Sequence, residues 1–228
     1  MLKEEEHIMT EIEAIRARHA VRNYTAKPLS PEIIDELSEE IEQCNRQGQL
    51  HIQLVTENEE AFKTFIPLFG RFKNVKNYIA LAAKKQGDFY IKCGYCGARL
   101  MVKAQQAGLN SCWVTNTYNA KKCPVTLAPD EELVGVIAIG YGTTDGTQHK
   151  SKSMERLCKP CSDKWFLDGM NAAVLAPTGL NRQNFFIEAN GNTVSIRTKD
   201  NHPMSQINTG IVKYHFEIGA GRENFNWE

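Results

Sequence analysis

The sequence predicts a protein in which helices and short strands intermix, and three observations carry that reading. Apolar residues recur at helical spacing in several separate segments. Between them lie short runs with the alternation, or the unbroken hydrophobicity, of β-strands. No linker or low-complexity stretch divides the chain, so helices and strands intermix along all 228 residues, a length that suits one or two domains with a sizeable core.

Taken in order, Ile8, Ile12 and Ile15 fall on one stripe of a helix over residues 8–19, and Pro28 interrupts the segment RHAVRNYTAKP that follows. Ser30 and Pro31 open a second helix as N-cap and first helical residue, with Ile33, Ile34, Leu37 and Ile41 on its apolar face. LHIQLV (50–55) alternates like a half-buried strand, and NYIALAA (77–83) reads as a buried one. Residues 89–107 form a helix that Gly108 stops. Asp130 to Leu133 lead into a second buried strand, VGVIAIGYG, and a basic loop (147–153) follows. Trp165–Leu175 is a helix, followed by the turn APTGLNRQ. FFIE and TVSIRT form a hairpin around Asn190-Gly191-Asn192, and 205–220 is the last long helix.

Composition narrows the function. Lys plus Arg and Asp plus Glu number 27 each, so net charge is zero, which argues against whole-surface nucleic-acid binding. The opening MLKEEEHIMTEIEAI is acidic and amphipathic, unlike a signal peptide, and no apolar run is long enough to span a bilayer. The expectation is a cytoplasmic protein with no nucleic-acid or membrane partner, in which the seven cysteines stay reduced.

Four cysteines stand in two Cys-x-x-Cys pairs, Cys93/Cys96 in KCGYCG and Cys158/Cys161 in RLCKPCS. Read alone they allow a zinc site, a dithiol switch or packing thiols. Their separation far exceeds the ~15–20 residues of a zinc ribbon, and Cys93 and Cys96 fall on a helix rather than a knuckle. Packing is therefore the favoured reading, with CKPC, whose Pro160 suits a turn, the better metal candidate.

Two basic clusters, Arg18-His19-x-x-Arg22 and Lys150-x-Lys152, could converge on one phosphate or remain two solvated patches. The turn Leu175–Gln183 offers Thr178, Asn181 and Gln183 as donors and acceptors for the edge of a planar heterocycle, shaped by Pro177 and Gly179, or it is an ordinary loop after a helix. Asn45-Arg46-Gln47 recurs as Asn181-Arg182-Gln183, each read as lying after a helix and before a strand. GARLMVKAQQAG (97–108) is echoed by GIVKYHFEIGAG (210–221). The same order of two marks suggests a half-repeat with a shorter second copy.

In order along the chain, RHAVRNY, GYCGxxLxxxAxxxGLxxCW (94–113), VIAIGYG with KSKSMERL (136–157) and APTGLNRQNFFIE resemble the FMN-dependent nitroreductase family. The Pro-Ser/Thr turn usually lies in the first half of such chains. Here its fuller copy is near the C-terminus, as in a subgroup of single-chain nitroreductase-like proteins first seen in thermophilic bacteria. The resemblance implies an α+β nitroreductase-like fold, a central mostly antiparallel sheet flanked by helices. It also implies a pseudo-dimer with one FMN per chain: residues 1–160 as a protomer-like unit, and 163–228 as a shortened second unit that donates its turn in cis.

By the same resemblance, Arg18, Arg22, Lys150 and Lys152 neutralise the FMN phosphate, and His19 and Ala20 contact phosphate or ribityl. Ala20 stands where the family often has Ser, and Ala98 near a frequent acidic residue. Trp113, Val114 and Thr115 line a turn under the isoalloxazine. Pro177, Thr178 and Gly179 pack on the flavin, with Asn181 and Gln183 near its polar edge. Gly94 and Gly97 let the central helix pack closely. GRFKN (70–74) reads either as a basic loop over the site or as ordinary surface. The implied activity is hydride transfer from NADH or NADPH to a nitro-aromatic or quinone-like small-molecule acceptor by a ping-pong route, with no protein nucleophile and no metal. The chain would be a monomer or a homodimer. The rivals are a flavin-binding protein with little turnover and a cysteine-liganded zinc protein.

Overall fold

A computed structural model describes residues 8–63 and 72–228. The first helix, α1 (Glu11–Ala17), is shorter than the apolar stripe suggests. A capping box starts it: Thr10 accepts from the Glu13 backbone, and the Glu13 carboxylate reaches back to Thr10. Helix α2 (Pro31–Gly48) begins at Ser30 and Pro31 as expected and ends at Gln49 in the left-handed conformation. Helix α3 (Phe89–Gln106) is followed by Gly108 with φ 74°.

Four strands, β1 (Gln53–Val55), β2 (Asn77–Lys84), β3 (Asn110–Val114) and β4 (Glu131–Gly140), form an antiparallel sheet in the order β1-β2-β4-β3. The two unbroken apolar runs, β2 and β4, are its central strands and are covered on both faces. Ile79, Leu81, Ile137 and Ile139 pack toward Leu37 and Ile41 of α2 and Leu100 of α3. Tyr78, Ala80, Val136 and Ala138 face Val21, Tyr24 and Phe62.

Strand β3 replaces the turn expected around Trp113. Its sequence NSCWV has too little apolar periodicity to announce a strand, and pairing with β4, Ser111 opposite Ile139 and Trp113 opposite Ile137, makes it one. Trp113 and Val114 are therefore strand residues on opposite faces: the indole packs with the helix-side cores and Val114 with the other.

The C-terminal part carries helix α4 (Lys164–Ala173), the hairpin β5 (Phe185–Asn190) and β6 (Thr193–Thr198), and helix α5 (Pro203–Ala220). A short β7 (Asn226–Trp227) joins β6 in parallel, completing a three-stranded sheet. The order helix, strand, strand, helix thus occurs twice, as α2-β1-β2-α3 and α4-β5-β6-α5, and each strand pair is antiparallel.

The two closing helices, α3 and α5, pack directly on each other through a reciprocal contact. A β-carbon on Gly94 would collide with the carbonyl of Ile207, and one on Gly210 with the carbonyl of Ile91. Each glycine follows its isoleucine by three positions, in Ile91-Lys-Cys-Gly94 and Ile207-Asn-Thr-Gly210. This changes the register of the internal echo: the counterpart of Gly210 is Gly94. Gly97 instead lies under the Trp113 ring and Leu81. The other mark also shifts, because Asn45, Arg46 and Gln47 lie within α2 and form no turn. Asn45 caps Ile52 instead, accepting from its N–H at 2.7 Å and donating to its carbonyl at 2.9 Å.

Candidate active site

Arg18 leaves the end of α1 in extended conformation. The next residues run beside the edge strand β3: Ala20 bridges Ser111, and the Val21 N–H donates to the Ser111 carbonyl at 3.2 Å. That path buries Arg18 to 4% exposure, and its Nε and Nη1 have no partner among the described residues. Burial lowers its pKa to about 10, which leaves it charged at neutral pH. An unpaired buried charge is costly, so the arrangement calls for an anion.

Two further buried groups near Arg18 lack partners. Ser111 Oγ is fully buried on β3. His215, 1% exposed on α5, donates from Nδ1 to the Ile211 carbonyl at 2.9 Å, which leaves Nε2 as an acceptor with nothing to accept from. Burial, reinforced by Arg18 and His149, pushes its pKa down to about 3, so the ring is neutral. His19 is also held below the ordinary imidazole value, first by burial and then by Arg18 and His149. The loop after β4 crosses this segment closely, since a β-carbon on Gly146 (φ 78°) would sit 2.9 Å from His19 Cβ.

The same loop then docks on the turn after α4. The Val174 carbonyl accepts from His149 Nε2 at 3.1 Å, Ser151 Oγ at 3.1 Å and Gln183 Nε2 at 2.9 Å. Gln183 Oε1 accepts from the Lys152 N–H at 2.7 Å, and Asn181 Nδ2 donates to the Lys150 carbonyl at 2.8 Å. The Lys152 ammonium binds the carbonyls of Arg182 and Gln183 at 2.5 and 3.0 Å, so it holds the turn. Lys150, Ala20 and Arg22 are exposed.

Within the turn, Thr178 Oγ1 accepts from the Gln183 N–H at 3.0 Å, and Asn208 on α5 accepts from the Gly179 N–H at 3.0 Å. Leu180, Asn181 and Gln183 take positive φ of 51°, 53° and 44°. Non-glycine residues pay for that conformation, and such strain gathers at functional sites. Asn181 Oδ1 is buried without a partner, an acceptor available to a ligand N–H.

The structure thus joins the expected pieces through the loop 142–152. At one end it contacts the Arg18–Val21 segment, and at the other it is bonded to the Pro177–Gln183 turn. Thr115 follows β3, with its Cγ2 close to Gly135. Gly70 and Arg71 lie outside the described residues, while Lys73 pairs with Asn23 and donates to the Arg22 carbonyl at 2.9 Å. Sequence reasoning missed Ser111, His149 and His215. The sequence analysis assigned His215 no role, and only the fold brings it within the electrostatic reach of Arg18.

The cysteines disperse. Cys93 and Cys96 sit on one helix but enter different cores, Cys93 with α4 and α5, Cys96 with α2. Cys158 pairs along β5 at Ile187 and is buried, while Cys161 is half-buried. No group of three or more His, Cys, Asp or Glu side chains among the described residues is placed to hold a metal ion.

Residues 11–220 match the family model described as "Putative TM nitroreductase". The chain belongs to this nitroreductase family. Structural neighbours agree on the nitroreductase fold. A "putative nitroreductase" from Thermotoga maritima superposes with a TM-score of 0.66 at 20% identity, covering 97% of this chain and 88% of its own. A "putative nitroreductase in complex with FMN" from Desulfovibrio desulfuricans gives 0.56 at 16%, covering 70% and 100%. A "Putative NADH dehydrogenase/NAD(P)H nitroreductase" from Parabacteroides distasonis gives 0.52 at 19%, covering 64% and 95%. No curated protein matches the sequence. Family membership makes the protein an oxidoreductase of the nitroreductase type, with the α+β fold expected from its sequence. No helix among the described residues is long and apolar enough to cross a membrane.

Proposed function

We propose that this nitroreductase binds one FMN per chain and uses it to pass reducing equivalents from NADH or NADPH to a nitro-aromatic or quinone-like acceptor. The observation that carries the reading is Arg18, a buried guanidinium with two nitrogens lacking partners and no ion pair to a carboxylate among the described residues. The donor set fits the cofactor. Arg18, with His19, Ala20 and Arg22 along the same segment, would hold the phosphate end. Pro177, Thr178 and Gly179 would pack on the ring system, with the unpartnered Asn181 Oδ1 and Gln183 at its polar edge. Lys150 would add positive potential from the loop, and Lys152 would keep the turn in its strained shape. Trp113, Val114 and Thr115 would support the ring from the β3 end.

FMN, when bound, supplies the hydride acceptance and delivery that no side chain here could perform. The protein's part is to position the cofactor and the two substrates in turn on one face. We read residues 1–160 as one protomer-like unit and 163–228 as a shortened second that supplies its turn in cis. The twofold helix–strand–strand–helix order and the reciprocal Gly94 and Gly210 contact support this. One chain then carries a whole site and can act as a monomer.

An absorption spectrum of the purified protein, with flavin counted after denaturation, tests the cofactor; two flavins per chain would contradict the single-site reading. Anaerobic bleaching by NADH or NADPH tests turnover. Bound flavin that neither reductant bleaches would mean a flavin carrier.

A further inference from the structure

The reciprocal contact between α3 and α5 sets up a comparison within the chain. Five positions after Gly94 stands Arg99, and five positions after Gly210 stands His215. The two residues therefore occupy corresponding places on helices that cross about an approximate two-fold axis. Each nitrogen of Arg99 has a partner on α2: Nε donates to Glu40, Nη1 to Gln47 at 2.8 Å and Nη2 to Gln43 at 2.8 Å. Arg99, Glu40 and Gln47 border a polar cleft of about 380 Å³ that Lys103 and Arg222 also line. Both of those cations are already paired as well, Lys103 with Glu36 at 2.5 Å and Arg222 with Glu217 at 3.0 Å. On that side, protein groups complete the site.

On the other side the corresponding residue has no such partner. His215 Nε2 and Arg18 Nε and Nη1 are buried and unpartnered among the described residues, and so is Ser111 Oγ on the strand beside the Arg18 segment. The segment after α1 and helix α5 thus bring unsatisfied polar groups close enough for Arg18 to act on the His215 ring, and buried polar groups in folded proteins normally have partners. The missing partner must both accept from a guanidinium and share a proton with an imidazole nitrogen. A phosphate monoester does both.

We infer that His215 is a second ligand-facing residue of the phosphate pocket, beside Arg18, and that FMN docks there with uptake of one proton. The inference rests on the proposed flavin site. Near neutral pH free FMN carries a dianionic phosphate, its second pKa lying near ~6. A dianion cannot hydrogen-bond to a neutral Nε2 lone pair, because both are acceptors. One proton, held by imidazole or phosphate, converts that repulsion into a charge-assisted bond.

The titratable groups facing His215 are Arg18 from the end of α1 and His149 from the loop after β4. His19 and Asp145 lie next to these two. Cys112, from β3, faces Arg18. On α5 itself, Lys213 lies over Trp227, and Glu217 is bonded to Tyr95, Arg222 and Trp227. None of these is a carboxylate bonded to His215, so among the described residues it has no anionic partner and a bound phosphate would supply one.

The test is FMN binding to the flavin-free full chain, followed by flavin fluorescence from pH 6.5 to 8.5, with riboflavin as the probe that lacks phosphate. The expected result is an FMN Kd that rises toward tenfold per pH unit above neutrality, while riboflavin binding stays level. Calorimetry in two buffers of different ionisation enthalpy should show close to one proton taken up with FMN. His215→Gln, whose amide N–H can donate, should bind FMN without the pH slope; His215→Leu should weaken FMN at least tenfold and leave riboflavin unchanged. A wild-type FMN slope below twofold per unit, or a slope that persists in His215→Gln, overturns the inference while leaving the flavin site standing. A wild-type chain that binds neither flavin overturns the proposed function itself.

Discussion

The backbone carbonyl of Ile207 occupies the space that a β-carbon on Gly94 would need, and the carbonyl carbon lies only 2.9 Å from that position. Alanine is the better helix former by about 1 kcal/mol in open helix, so the sign of Gly94→Ala depends on space. Here the wall is backbone and cannot turn aside. Gly94→Ala and Gly210→Ala should each destabilise by ~1–3 kcal/mol or more, read as a fall in thermal midpoint. The double variant should cost less than the sum, because the same helix displacement relieves both clashes. Strict additivity would mean that the two contacts are independent.

Arg18→Met should separate stability from function. Removing a buried, unpaired charge while keeping much of its volume should stabilise the flavin-free protein, by up to ~1–4 kcal/mol if the gain resembles that for replacing a buried ion pair with apolar side chains. The same change should abolish FMN retention. Excess FMN should therefore raise the thermal midpoint of the wild type but leave the variant unmoved. A less stable flavin-free variant would show that Arg18 has a partner in the protein.

The stability of the flavin-free protein should fall on mild acidification. His215 has a folded-state pKa pushed down to about 3 against an ordinary 6.5, so between these values the unfolded chain binds a proton that the folded chain refuses. Its contribution is complete above pH 6.5 and declines below it, by at most ~1.4 kcal/mol per pH unit. Urea unfolding at pH 7, 6 and 5 should show this loss, and His215→Gln should show less of it. Equal slopes in both proteins would place the acid sensitivity elsewhere.

Lys150 and Lys152 should behave differently although they are two residues apart. Lys152 ties down the carbonyls of Arg182 and Gln183, and removing a cationic donor there costs about 1 kcal/mol of local order at a partly exposed site. Lys152→Met should speed proteolytic cleavage within residues 177–184 and weaken FMN binding. Lys150→Ala should leave cleavage unchanged and affect FMN only through lost positive potential. Equal cleavage rates for the two variants would contradict the strut role of Lys152.

Much of the fold was legible because its strongest signals are local. Ser30-Pro31 starts α2, Gly108 follows the end of α3, and the unbroken runs around Ile79 and Ile137 are the central strands. Strand β3 escaped because Asn110, Ser111 and Cys112 owe their strand state to β4 rather than to their own propensity. The repeat was visible, but its register was displaced: matching letters aligned Gly97 with Gly210, whereas the helix crossing aligns Gly94 with it.

By itself the sequence determined the helices and the central strands, the separate basic and turn segments, and a family resemblance that implied the α+β class and named a cofactor. The elements follow from periodicity, caps and spacing, which act within a few turns of chain, and the cofactor from the resemblance alone. Only the tertiary structure decided that Arg18 is buried without a counter-ion among the described residues, that Lys152 is a strut in the turn, and that His215 lies within the electrostatic reach of Arg18, whereas Arg99 is bonded to Glu40. Burial and pairing of charges depend on which distant segments meet, and no local pattern in the chain encodes that meeting.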